Sequence, residues 1–92
     1  MDPMHIIITV TGVDHVGIIA GVSTALADLG VNIVNVSQTL MGDYFTMIME
    51  GELTDGSPDL IDVQDSMRVA GDRLGVAVRV QSEAIFDAMH QL

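Results

Sequence analysis

The chain has no cysteine and no lysine, and its only basic residues are Arg68, Arg73 and Arg79. Without a thiol there is no disulfide, no zinc–thiolate site and no cysteine nucleophile, and the redox compartment is left undetermined. Thirteen acids against three bases give a net charge of −10 at pH 7. Such a surface repels phosphate backbones and anionic lipid, so neither nucleic acid nor a membrane is expected as a partner. The charge reads as a solubility feature, with an acidic docking surface as the alternative. No apolar run reaches the roughly 18 residues of a membrane span. The opening Met1-Asp2-Pro3-Met4-His5 lacks the basic segment and long apolar core of a signal peptide. Together these absences set the expectation of a cytoplasmic protein.

What is present is strongly apolar. Hydrophobic residues make up 49% of the 92-residue chain and charged residues 17%, the composition of a packed domain and not of a disordered segment. The length suits one domain over residues 1–92, with its core within 4–81 and a terminal helix over 83–91. A chain this short buries only roughly 60–65% of its unfolded surface, so self-association would add to a thin stability margin. No internal repeat, linker or low-complexity segment is visible.

His5 to Thr11 reads His-Ile-Ile-Ile-Thr-Val-Thr, rich in β-branched residues and apolar on both faces, which predicts a central strand. Gly12 permits a turn. Ile18, Ile19, Val22, Ala25, Leu26 and Leu29 recur at helical spacing. They predict a helix from about His15 or Val16 to Leu29, capped by Asp14 and ended by a left-handed Gly30. Val31 to Met41 predicts a second strand, with Val34, Val36, Gln38 and Leu40 on one face. Ile33, Asn35, Ser37, Thr39 and Met41 form the other, a polar face suited to solvent.

Gly42-Asp43 predicts a tight hairpin turn into a third strand, Tyr44 to Leu53, with Phe45, Met47, Met49 and Leu53 inward. A loop from Thr54 to Pro58 follows, where Ser57 or Asp59 can cap the next helix. Leu60, Val63, Met67, Ala70 and Leu74 then mark a helix ended by Gly75. Val76 to Gln81 alternates as a fourth strand. Ser82 can cap a final short helix whose apolar edge is Ile85, Phe86, Met89 and Leu92, expected to dock on the domain or on a partner. The order β-α-β-β-α-β plus a C-terminal helix points to the α+β ferredoxin-like sandwich: a four-stranded antiparallel sheet with both long helices on one face.

The stretch Thr11-Gly12-Val13-Asp14-His15-Val16-Gly17 leads from a strand into a helix start. There free N–H groups and partial positive charge favour a carboxylate or small anion. Asp14 either caps the helix alone or caps it and touches a ligand. Asn32 is either a turn residue at a strand start or a ligand contact. Imidazole in general titrates near neutrality, yet no nucleophile or carboxylate is spaced to partner His15, so it reads as an exposed turn histidine. His5, His15 and His90 lack His-x-His or His-x-x-x-His spacing, and Asp55 to Asp62 lacks the order of a calcium loop. Neither a metal nor a cofactor is therefore expected. Core stripes account for Met47, Met49 and Met67.

Gly12-Val13-Asp14-His15-Val16-Gly17-Ile18, followed by Leu29-Gly30-Val31-Asn32-Ile33, resembles the ACT domain. ACT domains are small ligand-sensing modules, usually attached to enzymes of amino-acid metabolism or to regulators. Ser37-Gln38-Thr39-Leu40-Met41, Tyr44-Phe45-Thr46-Met47-Ile48-Met49 and Ile85-Phe86-Asp87-Ala88-Met89-His90 extend the likeness over nearly the whole chain, to the stand-alone ACT proteins of prokaryotes. A more distant similarity is to the tandem-ACT regulators of the glycine cleavage operon.

The resemblance implies side-by-side pairing through the edge of the second strand, which makes one eight-stranded sheet. It implies an amino acid held between the first turn of one subunit and the helix end or second strand of the other. Asp14, His15, Val16, Gly17 and Ile18 would form the turn, and Asn32 and Ile33 the strand entry. Asp14 stands where serine-sensing members carry asparagine, Gly12 where some carry histidine, and Val16 where proline is common. A carboxylate at position 14 favours a ligand's ammonium group or a metal and opposes a carboxylate placed close by.

The expectation is a non-catalytic homodimer that binds a small molecule, by class an amino acid. A tetramer through the open sheet face stays open. The alternative is a ligand-free adaptor that docks on a metabolic enzyme or regulator through its acidic surface and C-terminal helix.

Overall fold

Three consecutive isoleucines fix the middle of the sheet. In the computed structural model, which describes residues 4–13, 16–53 and 58–90, the first strand, β1 (Met4–Val13), is flanked on both sides. Its neighbours are β3 (Tyr44–Leu53) and β4 (Ala77–Ser82), and β2 (Asn32–Met41) lies beyond β3. Every pairing is antiparallel. Helices α1 (Ile18–Asp28) and α2 (Leu60–Leu74) cover one face of the sheet, and a short α3 (Glu83–His90) packs against β1 and β4. This is the ferredoxin-like order with an added C-terminal helix.

The core follows the predicted periodicities. Ile6, Ile8 and Val10 of β1 meet Phe45, Met47, Met49 and Leu53 of β3 beneath Val22 and Leu26 of α1 and Val63 and Met67 of α2. Burial of each such side chain contributes about 1.5–3 kcal/mol. Gly51 holds the remaining inward position of β3. A Cβ there would lie 2.8 Å from Val31 Cγ1 and 3.4 Å from Ile6 and Ile8. Ile7, on the opposite face, is buried outside this cluster, on the strand that α3 packs against. Ser82 caps α3 as predicted: its hydroxyl accepts from the Ile85 N–H at 3.3 Å.

Several sequence expectations need correction. α1 begins at Ile18, not at His15 or Val16, because Gly17 takes the cap position with a left-handed φ of 92°. Asp14, read as the cap, lies outside the described residues, as do His15, Ser57 and Leu92. The first described strand residue after α1 is Asn32 in place of Val31, and β4 runs one residue later than predicted.

β2 differs most. Val36 and Leu40 pair with the inward Met49 and Phe45 and so keep to the core side of the sheet, yet they and Val34 are exposed, because β2 is an edge strand that the helix layer leaves largely uncovered. The ladder with β3 also shifts register between Ile33 and Asn35, so Val34 is an extra residue in a bulge. The shift turns Ile33 to the core side opposite Gly51, where it is half-buried against the cluster, and away from Asn35 and Ser37.

Candidate functional site

The turn between β1 and α1 ends in two described residues of contrasting character. Val16 is fully exposed, whereas Ile18 is 2% exposed and anchors the first turn of the helix in the core. Between them Gly17 bends the chain, and its carbonyl accepts from the Gly21 N–H at 2.8 Å to open the helical ladder. The result is a helix N-terminus fixed at its base by Ile18. Its leading N–H groups have no cap from the Gly17 position, so they are suited to an anion.

Strand register places the second half of the predicted site elsewhere. Val13 pairs with Tyr44, which pairs with Met41, so the turn sits at the hairpin end of the sheet. Asn32 pairs with Glu52, which pairs with His5, at the far end. The span of the ten-residue β1, roughly 30 Å, separates the turn from Asn32 within one chain. Of the seven predicted site residues, then, Val16, Gly17 and Ile18 lie together. Asn32 is exposed at the other end, and Ile33 beside it serves packing. Asp14 and His15 fall outside the described residues.

The Asn32 end is acidic. The Glu52 carboxylate lies 4.0 Å from His5 Nε2, and Glu83 of α3 lies 3.9 Å from His5 Nδ1. Among the described residues no group of three histidine or acidic side chains is placed to hold a metal ion.

Sequence reasoning passed over an apolar rim around the turn. Val13, Tyr44 and Met41 form one row across three strands on the open face, at 52%, 65% and 75% exposure. The signal was available: a two-residue turn at Gly42-Asp43 makes Met41 and Tyr44 direct neighbours.

Comparison with known proteins agrees with this architecture. The ACT domain family model matches residues 4–81, and the chain belongs to that family, whose members are typically regulatory and bind ligands. Its nearer relatives are small proteins of similar length. A UPF0237 protein of Corynebacterium diphtheriae is 53% identical over 87 residues, covering 95% of this chain and 98% of its own. An ACT domain protein from Streptococcus pneumoniae superposes with a TM-score of 0.79 at 42% identity, covering 95% of this chain and 98% of its own. A putative glycine cleavage system transcriptional repressor shares the fold, with a TM-score of 0.77 at 14% identity over 89% of this chain and 48% of its own. Among the described residues no helix is long and apolar enough to cross a membrane.

Proposed function

We propose that the chain, folded as one domain over residues 1–92, is a non-catalytic regulatory module that binds an amino acid as a homodimer joined through β2. One observation carries the reading. The turn and Asn32 lie at opposite ends of one sheet, while β2 runs parallel to β1, since both are antiparallel to β3. Antiparallel pairing of two β2 edges would carry the partner's Asn32 to the end where this chain's turn lies. Two half-sites too far apart in one copy would thus meet across the interface.

The two sheet edges support the same choice. On β4 the Val80 carbonyl accepts from the Gln64 side-chain amide of α2 at 2.8 Å, and Arg79 puts a charge on that strand, both devices that discourage edge pairing. On β2 the exposed Val34, Val36, Leu40 and Met41 present apolar surface beside open backbone. The Val36 N–H is occupied only by its neighbour Asn35 Oδ1, at 2.9 Å, a local bond that a second strand can replace.

In the paired site, the N–H groups after Gly17 would take the ligand's carboxylate, and Asp14 with the partner's Asn32 its ammonium group. The rim of Val13, Met41 and Tyr44 would meet its side chain. Ile18 and Ile33 hold the two backbone segments in place by packing.

Thermal melting against the amino acids tests this reading. A ligand at about a hundred times its Kd adds roughly 2.7 kcal/mol, several degrees for a domain this small. The shift should vanish in Asp14→Ala and in Asn32→Ala. Val36→Pro removes an edge donor that the ladder to β3 does not use, so it should yield a folded protein that no longer pairs through β2 and lacks the ligand shift. A flat panel with a folded dimer would favour the adaptor.

A further inference from the structure

In the layer formed by α1 and α2, α1 has an outer surface unlike the rest of this acidic chain, whereas α2 exposes Asp62, Asp65 and Asp72 beside Arg68 and Arg73. α1 carries a single charge, Asp28, in its eleven residues. Its exposed residues include Ile19, Ala20, Thr24 and Ala27. Between α1 and α2 runs an open groove of about 450 Å³, floored by small residues such as Ala20, Ala25 and Ala70, with Val69 on its α2 wall. Val69 is 60% exposed.

The charges on this groove are the informative part. α1 and α2 run in opposite directions: a Cβ on Gly21, near the start of α1, would meet the side chain of Leu74 at the end of α2. Arg73 therefore stands at one end of the groove and Asp28 at the other, two helical turns or roughly 10 Å apart. Both line it, and neither has an ion pair among the described residues. Val69 lies between these ends.

We propose that this groove is a self-complementary docking surface for a second copy of the chain, packed helix layer to helix layer with the two grooves antiparallel. A two-fold axis in the plane of the contact and across the helices brings Arg73 of each copy to Asp28 of the other, so the pair forms twice. The parallel arrangement would set Arg73 against Arg73 and Asp28 against Asp28, and charge rejects it. The small floor lets the helices approach closely, and the two Val69 side chains come near the axis. This contact is independent of β2 pairing, and it uses the face of the sheet opposite to the open one.

The test is a charge swap read by sedimentation velocity at low salt. Arg73→Asp and Asp28→Arg should each lower the associated mass twofold, from four chains to two if β2 also pairs, or from two to one if it does not. The double variant D28R/R73D should restore the mass. Within one chain these residues are too far apart for such rescue. As a second readout, Val69→Cys gives the chain its only cysteine, and mild oxidation should link two copies. Single reversals that leave the mass unchanged, a double variant that fails to recover, or a Val69→Cys protein that stays unlinked would overturn the proposal. The Val36→Pro variant separates the two contacts: it breaks β2 pairing and leaves the swap behaviour intact.

Discussion

At the scale of single residues, two glycines carry opposite constraints. Gly17 has a φ of 92° with nothing within 4 Å of an added Cβ, whereas the crowded Gly51 has no such backbone requirement. Gly17→Ala should therefore cost about 1 kcal/mol, the penalty of a left-handed alanine. Gly51→Ala should cost about 1–3 kcal/mol through overpacking against Val31, Ile6 and Ile8. Urea melts of the two variants check the ordering. They also separate site from core: Gly17→Ala should weaken ligand response beyond its stability cost by shifting the helix start, and Gly51→Ala should not. The role of Ile18 was half legible in the sequence. Its apolar spacing marked it as helical, but only the packed structure shows it as the anchor beneath the turn.

At the scale of elements, long periodic segments were readable and irregularities were not. The stripe of α2, the alternation of β3 and the cap of α3 follow directly from residue type and spacing. The face of Ile33 did not, because a period of two has no way to register the extra residue at Val34. Nor did the exposure of Val34, Val36 and Leu40. Val36 and Leu40 do share the core side with Met49 and Phe45, and only the strand order, which leaves β2 at an edge, uncovers them. The separation of Asn32 from the turn was hidden for the same reason, since it is a matter of register between strands far apart in sequence.

α3 offers a prediction at this scale. Its docking depends on the Ser82 cap and on contacts with β1 and β4. Ser82→Ala should destabilise its first turn by about 1 kcal/mol. Amide exchange should then quicken in residues 83–88 and at Ile7, while the hairpin of β2 and β3 is unaffected.

At the scale of the whole molecule, the charge of −10 sets the terms of association. Such an excess of acids favours contacts that pair the few bases or avoid charge, and the two arrangements inferred above do so in different ways. Pairing through β2 would be apolar and hydrogen-bonded, and it should be little affected by salt. Docking through Arg73 and Asp28 should weaken as salt screens its two exposed pairs. Sedimentation from low to high ionic strength should accordingly lose the helix-layer contact first.

The unequal treatment of the two sheet edges decides how far growth can go. A sheet open on both sides is a repeating unit, and each added copy recreates the site for the next. Here the Gln64 amide holds the Val80 carbonyl, so in the proposed dimer β4 would offer no continuation and strand addition would stop after one step. Gln64→Ala should turn a chain terminator into a link, and light scattering on heating should rise earlier than in the parent protein. In that dimer one glutamine, remote from the proposed ligand site, would separate a switch that counts to two from a fibre that does not count at all.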